Sequence, residues 1–421
     1  MRVFKAREPR TAADDRKLTE TVAEIILNVR QHKDSAVSDY NQKFGGAAGS
    51  TFLVPQEELT KAYENLPAAL RGAMEAAAAN IKKFALMQQQ SLHSIEETET
   101  MDGVFLGQKI IPVDSCCCYI PGGSHPLFST ALMLVIPAKC AGVARVCAAV
   151  PPMAGSTMPH PATLAALKIA GADEVYAAGG AQAIAAFAYG TESIAPVSMI
   201  VGPGNKYVTE AKRQVYGQVG IDFLAGPSEV LVIADKNARA DIVAADMLAQ
   251  SEHDGDAAAI LITDSPSLAE SVCREIDKQL KELDTAATAS LSWRQNGMVL
   301  IADSLKEAAM RADSLAPEHL EVNVADPEAI LPLLRNFGSL FIGEGAAEVF
   351  GDYAAGTNHT LPTMKAARYS GGLSVMTFLK VCTFQRVTAE GAALLAPIAE
   401  TMAAYEGLSA HAKAAAIRKG R

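Results

Sequence analysis

Eight histidines occur in the 421-residue chain, and four of them stand in polar company suited to chemistry: Gln250-Ser-Glu-His253-Asp, Pro317-Glu318-His319, Asn358-His359 and Ser409-Ala-His411. Gln250 and His253 are three positions apart, a spacing that puts both side chains on one face of a helix and within reach of a single ion. Imidazole nitrogen and carboxylate or amide oxygen are donors that zinc accepts, and a catalytic zinc keeps part of its coordination sphere open for water or substrate. The adjacent pair Glu318-His319 offers a carboxylate and an imidazole, groups that move protons near neutral pH. Alcohol oxidation needs such a base, because the hydroxyl proton must go somewhere as hydride leaves. On spacing alone, plainer readings stay open: a helix-surface or core His pair, and an exposed helix cap after Pro317.

Three Gly-rich turns, Pro121-Gly122-Gly123, Gly179-Gly180 and Gly202-Pro203-Gly204-Asn205, each lie near an expected strand end, where backbone amides can meet a dinucleotide. None is a G-x-G-x-x-G, so simple closure of strand-to-helix turns also accounts for them. The seven cysteines are an odd number without metal-ribbon spacing. Three are consecutive, Cys116 to Cys118, and read as small residues of a buried strand in a reducing compartment.

These residues must be carried by elements. From Ala13 to Phe44 and from Gln56 to Gln90 apolar residues recur at helical spacing, so the first hundred residues are expected to be mainly helical. Short apolar runs then alternate with helical segments: Ala144 to Val150, Glu174 to Ala178, Val197 to Val201, Val230 to Ala234, Ala257 to Thr263, Met298 to Ala302 and Ser339 to Ile342. That alternation predicts an α/β protein with largely parallel strands. The strands fall into two groups, each long enough for a doubly wound unit. The expected division is a helical region over 1–119 leading into the first α/β domain, a second Rossmann-like domain over 120–225, the rest of the first domain with the chemical residues over 226–372, and a C-terminal helical arm over 373–421.

Composition narrows the class. Hydrophobic residues make up 49% and charged residues 20% of the chain, which fits a globular protein and argues against disorder. Acidic residues outnumber basic ones 47 to 37. With no block of Lys or Arg to meet phosphate backbones, nucleic acid is not an expected partner. The charged stretch Met1 to Asp15 lacks the apolar run of a secretory signal. The most apolar long stretch, Thr130 to Val150, is broken by Pro137, Lys139 and Arg145, so no membrane helix and a cytoplasmic location are expected.

Quoted together, Tyr119-Ile-Pro-Gly-Gly123, Gly179-Gly-Ala-Gln182-Ala-Ile-Ala, Val201-Gly-Pro-Gly-Asn205, Ala225-Gly-Pro-Ser228-Glu-Val, Gln250-Ser-Glu-His253-Asp, Ala316-Pro-Glu318-His319-Leu-Glu, Gly351-Asp352-Tyr, Gly356-Thr-Asn-His359 and Glu406-Gly-Leu-Ser-Ala-His411 resemble the histidinol dehydrogenase family, in the family's own order. The resemblance runs from about Val22 to His411. It implies an NAD- and zinc-dependent dehydrogenase that oxidises a primary alcohol through an aldehyde to a carboxylate in two hydride transfers. It further implies two incomplete Rossmann-like doubly wound domains with N-terminal helices, and a homodimer that swaps C-terminal helical arms. The implied zinc ligands are Gln250, His253, Asp352 and His411, the last supplied across the interface. By the same resemblance Glu318 and His319 are the acid-base pair, and Tyr119, Gln182 and Asn205 contact NAD. Ser228, Gln250, His253, His359 and Glu406 contact substrate, Glu406 also from the other subunit.

Two stretches depart from the biosynthetic pattern: Ser124-His125-Pro-Leu, and Lys365-Ala-Ala-Arg368-Tyr-Ser-Gly-Gly372. They look more like the family's catabolic relatives, such as sulfopropanediol dehydrogenase. The favoured expectation is therefore a small anionic diol, 2,3-dihydroxypropane-1-sulfonate oxidised to sulfolactate, with His125, Lys365 and Arg368 as suppliers of positive charge for the sulfonate. The alternative is L-histidinol oxidised to L-histidine. A non-catalytic zinc or nucleotide binding protein would be favoured if Glu318, His319 or a zinc ligand were missing, and all are present.

Overall fold

The computed structural model describes residues 1–6, 15–47, 49, 51–122 and 126–419. The chain begins with β1 (Arg2–Lys5), then α1 (Asp15–Lys43), α2 (Gln56–Glu64) and α3 (Ala68–Gln90), followed by a hairpin, β2 (Ile95–Met101) and β3 (Val104–Pro112). Strands and helices then alternate through β4 (Ser115–Tyr119), α4 (Phe128–Ala141), β5 (Arg145–Val150), α5 (Pro161–Ala170), β6 (Glu174–Ala177), α6 (Gly180–Tyr189), β7 (Met199–Val201), α7 (Lys206–Val215) and β8 (Gly220–Ile221). A second alternating series follows: β9 (Glu229–Ala234), α8 (Ala240–Ser251), β10 (Ala258–Thr263), α9 (Pro266–Gln279), α10 (Ala286–Asn296), β11 (Met298–Ile301), α11 (Leu305–Leu315), β12 (His319–Asn323), β13 (Ser339–Ile342) and α12 (Glu348–Tyr353). The chain closes with β14 (Leu379–Val387), α13 (Ala389–Tyr405) and α14 (Ser409–Ala416).

Two parallel sheets result. One has the order β6-β5-β4-β7-β8. The other has the order β1-β11-β10-β9-β12-β13, with only β1 antiparallel. A third, antiparallel sheet of β14-β3-β2 joins the hairpin to the C-terminal segment. Parallel strands need both faces covered, which is why these strands read as unbroken apolar runs. In the first sheet Cys116 and Cys118 face a core shared with α2 to α5, while Cys117 faces α1, α6 and α7. Alternation along the strand thus buries all three thiols, on two faces. In the second sheet α8 to α10 cover one face and α11 the other.

Several expectations change. The periodic stretch 56–90 is two helices, because Pro67 stands just before Ala68 and ends one helix where the next begins. The helices before residue 91 pack on the first sheet, through Val22, Ile25 and Met74 among others. Its central strand is Ser115–Tyr119, so a division at residue 119 passes through that sheet. The C-terminal arm begins with a strand, because Leu379 to Val387 pair in register with Pro112 to Val104. Among the described residues no helix is long and apolar enough to cross a membrane.

Candidate active site

In a doubly wound sheet, a crevice opens where consecutive connections leave in opposite directions. The first sheet has that point between β4 and β7, since the chain runs β4, β5, β6 to one side and then β7, β8 to the other. Tyr119 ends β4, Gln182 lies in the first turn of α6 beyond β6, and Asn205 caps α7 beyond β7. The fold therefore gathers all three at the carboxyl edge of one sheet. Tyr119 is buried, and its hydroxyl accepts a hydrogen bond from the Gly180 N–H at 3.0 Å. Gln182 is buried and donates to Asn41 Oδ1 at 3.2 Å, leaving its own Oε1 without a partner among the described residues. Asn205 accepts from the N–H groups of Tyr207 and Val208 at 3.0 and 3.2 Å.

The second sheet has its switch between β9 and β12. Here the chemistry sits at the amino ends of the two strands. Ser228 and Glu229 lead into β9, Glu318 and His319 into β12, and His319 lies opposite Val230. Glu318 and His319 are buried, with 5% and 4% of their surface exposed, which removes the reading of an exposed helix cap after Pro317. The cap fails because Pro317 and Glu318 enter a strand whose neighbours on both sides are already paired.

His319 Nδ1 lies 3.2 Å from the backbone carbonyl of Glu229. A carbonyl can only accept, so Nδ1 carries the proton and Nε2 presents its lone pair. That Nε2 has no hydrogen-bond partner among the described residues, and Asp352 Oδ1 stands 3.8 Å away. Glu318 Oε2 accepts from the Glu229 N–H at 2.9 Å. Burial drives the two partners apart. It pushes the His319 pKa down to about 3 and the Glu318 carboxyl well above the usual carboxylate range. Burial thus favours the uncharged form of both side chains.

Two further carboxyls converge from α12. Glu348 Oε1 is 3.4 Å from His319 Nδ1, and Glu348 Oε2 is buried without a partner among the described residues. Burial raises Glu348 well above its ordinary value and Asp352 to about 7. The ligand atoms of His319, Glu348 and Asp352 all lie within 4.8 Å of one another. Gln250 is fully buried, with neither amide atom partnered among the described residues. Orphaned buried polar groups are costly and point to a missing ligand. Amide, imidazole and carboxylate donors fit a zinc ion.

The helical-face argument for Gln250 and His253 needs correction. Helix α8 ends at Ser251, and His253 lies beyond its cap, with its N–H donating to the Gln250 carbonyl at 3.3 Å. The helix end leaves Gln250 buried and His253 exposed. His359 is pinned differently: Nδ1 lies 3.0 Å from the Asp352 carbonyl and Nε2 accepts from the Thr130 hydroxyl at 3.3 Å. Burial lowers its pKa to about 4, so it too is neutral.

Of the three residues expected to supply positive charge, Arg368 donates to the Ser314 carbonyl at 2.7 Å. Lys365 borders a cleft of about 470 Å³ that Ser228, Glu229, Arg311 and Met364 also line. Its φ of 68° and that of Met364, 53°, place two consecutive non-glycine residues in the left-handed region. His125 lies outside the described residues. Glu406 and His411 sit exposed on the C-terminal arm. Leu394, Ile398, Met402 and Tyr405 form an exposed apolar stripe on one side of α13. Spacing of i, i+4, i+8 and i+11 keeps them on one helix face.

Sequence reasoning missed Glu348, Glu321 and Asp246. Glu348 and Asp352 are four apart on α12, a signal of the same kind as Gln250 and His253. Glu321 follows His319 by two on β12, hence on the same face, and its Oε1 accepts from the Glu348 N–H at 3.2 Å. Burial, together with the nearby Asp246 of α8, raises its carboxyl to about 8.

A buried carboxyl and imidazole side by side at one parallel sheet and a crevice at the switch point of another mark an α/β protein of two parallel sheets. The chain matches the family description "Histidinol dehydrogenase" over residues 8–419 and belongs to that family. It is 45% identical over 399 residues to histidinol dehydrogenase of Rhizobium meliloti, covering 94% of this chain and 91% of the relative. It is 44% identical over 405 residues to "Histidinol dehydrogenase homolog" of Shouchella clausii, covering 96% and 95%. The crystal structure of histidinol dehydrogenase from Elizabethkingia anophelis superposes with a TM-score of 0.91 at 38% identity, over 98% of this chain and 94% of that one.

Proposed function

We propose that the protein oxidises L-histidinol to L-histidine with NAD, using a zinc ion. The observation that carries the substrate reading is the cluster of carboxyls around His319, whose ionised form a bound cation would favour: oxygens of Glu348, Glu318 and Asp352 stand 3.4, 3.7 and 3.8 Å from its ring nitrogens. A site rich in carboxyls suits a cationic amino alcohol and opposes a sulfonate. The relatives named histidinol dehydrogenase point the same way. The preference for 2,3-dihydroxypropane-1-sulfonate expected from the sequence thus yields to the alternative. Lys365 at the cleft beside Ser228 is the feature that keeps the anionic diol as a second reading.

When bound, NAD supplies the hydride acceptor for each of two oxidations, and zinc supplies a Lewis-acid anchor for the substrate oxygen. Gln250, His253 and Asp352 of this chain would hold the metal, with His411 from a second copy. His319 takes the alcohol proton at Nε2, the nitrogen its hydrogen bond to Glu229 leaves bare. Glu318, once ionised, takes a proton from the water that attacks the aldehyde. His319 then receives the proton released in the second oxidation. The Glu229 N–H holds Glu318 in place for this step. Tyr119, Gln182 and Asn205 position the dinucleotide, and Ser228, His359 and Glu406 orient the alcohol.

The exposed stripe on α13 supports a homodimer, because an apolar helix face of this kind is ordinarily covered. Parallel assays of NAD reduction with L-histidinol and with 2,3-dihydroxypropane-1-sulfonate test the reading. Higher kcat/KM for histidinol supports it; higher kcat/KM for the sulfonate replaces it by the second reading; activity with neither removes both.

A further inference from the structure

Lys212 and Asp222 form a buried ion pair in the first parallel sheet's layer, with only 2% and 0% of their side chains exposed. Burying an ammonium and a carboxylate costs several kcal/mol of hydration, and replacing such a pair by apolar side chains of similar volume is often neutral or stabilising. Stability alone does not account for the pair. Its contacts suggest another purpose. Lys212 Nζ donates to the Gly202 carbonyl at 2.9 Å, and the Gly202 N–H donates to Asp222 Oδ2 at 2.8 Å. The pair therefore grips Gly202 through both its backbone polar groups.

Gly202 is where the chain leaves β7. Its φ is +115°, and a Cβ there would lie 2.3 Å from the Tyr119 carbonyl oxygen, so no other residue fits. From this point Pro203 and Gly204 lead to Asn205, which starts α7. The turn thus forms one wall of the crevice between β4 and β7, with Tyr119 opposite. Lys212 lies two turns along the same helix, and Asp222 just beyond β8, so the pair fixes α7 and the far edge of the sheet onto one peptide unit.

We propose that Lys212 and Asp222 are positioning residues for the dinucleotide: they hold the Gly202–Asn205 turn in the conformation that receives it. The inference rests on the reading that NAD binds at this crevice. Neither side chain needs to touch the cofactor. Their charges are retained because two opposed, fixed hydrogen-bond partners hold a backbone carbonyl and N–H at once, which apolar replacements cannot do.

The test is the double variant Lys212→Met/Asp222→Leu, which removes both charges together, studied as the zinc-loaded full chain. Titration calorimetry with NAD is expected to show Kd raised at least about tenfold, with KM for NAD following it. Expected alongside are unchanged zinc content, an unchanged KM for the alcohol, and little change in kcat at saturating NAD, with a melting temperature lowered by the two backbone groups left unpaired at Gly202. Amide exchange at Gly202 should quicken. Should the double variant fail to fold, Asp222→Asn keeps the volume and an acceptor for Gly202, and a smaller rise in the Kd for NAD is expected. Unchanged NAD affinity in a folded variant overturns the clamp alone. Equal losses in zinc content and alcohol KM would also overturn it, by making the pair a general structural support. An unsubstituted protein that binds no NAD overturns the dinucleotide reading and the clamp with it.

Discussion

His319 and Glu229 are joined side chain to main chain: the imidazole Nδ1 meets the Glu229 carbonyl at 3.2 Å, and this contact fixes which nitrogen is free to act. Glu229 also donates its N–H to Glu318. One residue at the start of β9 therefore orients both side chains of the proposed acid-base pair at the start of β12. The consequence is a ring nitrogen, Nε2, that faces Asp352 and is left without a partner among the described residues.

His319→Asn removes that base while keeping a polar side chain of similar reach. Turnover is expected to fall by about a hundredfold to ten-thousandfold. Steady-state NAD reduction measures this, with zinc content as the control; a rate within a few-fold of the unsubstituted enzyme would remove His319 from the chemistry.

Glu318→Gln should separate the two oxidations. The amide keeps the hydrogen bond to the Glu229 N–H poorly, and it cannot take a proton from water. Aldehyde oxidation, assayed by supplying the aldehyde, is expected to suffer more than the alcohol step. Equal loss in both half-reactions would contradict a role in activating water.

Glu348→Gln probes a residue that motif spacing did not single out. Its carboxyl lies 3.4 Å from His319 Nδ1 and within the group of possible ligand atoms. Residues that support a metal site or its base commonly cost about tenfold to a hundredfold in affinity or activity when altered. Zinc affinity by chelator competition, measured beside kcat, distinguishes the two. No change in either would reduce Glu348 to packing.

Stability of the zinc-free protein should fall as pH rises from about 6.5 to 8. The sign follows from the buried carboxyls. Burial raises Asp352 to about 7 and Glu321 to about 8 in the folded chain, with Glu318 and Glu348 also raised, whereas all ionise at about 4 when unfolded. Each group that still holds its proton when folded costs about 1.4 kcal/mol of stability per pH unit, a cost that stops growing above about 7 for Asp352 and about 8 for Glu321. Below about 6.5 the fall is opposed, because burial lowers His319 to about 3 and His359 to about 4, so both stay neutral when folded and gain protons on unfolding. Melting curves of chelator-treated protein measure the slope. A stability that rises with pH over 6.5 to 8 would contradict the raised carboxyls.

Subunit exchange tests the arm. If His411 serves the site of a partner, two inactive variants, His319→Asn and His411→Ala, should restore activity when co-expressed, because a mixed dimer carries both defects in one site and none in the other. Mixtures no more active than the separate variants would place His411 in its own subunit's site or outside both.

Much was legible before any coordinates. The alternation of apolar runs and helical stretches marked seven of the parallel strands nearly to their ends, because strands covered on both faces must be apolar throughout, whereas β8 and β12, the strand that begins with His319, were not among them. Strand Leu379–Val387 escaped detection, since its exposed residues carry no apolar run and its pairing with Val104–Pro112 joins segments more than 260 residues apart.

The types and order of the chemical residues, and through them the family, were determined by the sequence itself: a carboxylate, an imidazole and metal donors are chemical facts at fixed positions. Tertiary structure decided what those groups become. Placing Glu318 and His319 at a buried strand end, where a helix cap was one reading, lowered the imidazole and raised the carboxyl from their ordinary pKa values. Ending α8 at Ser251 separated a buried Gln250 from an exposed His253. Packing α12 against β12 brought Glu348 and Asp352 to His319. Burial and electrostatic coupling depend on distances between residues far apart in the chain, and those distances exist only once the sheets are assembled.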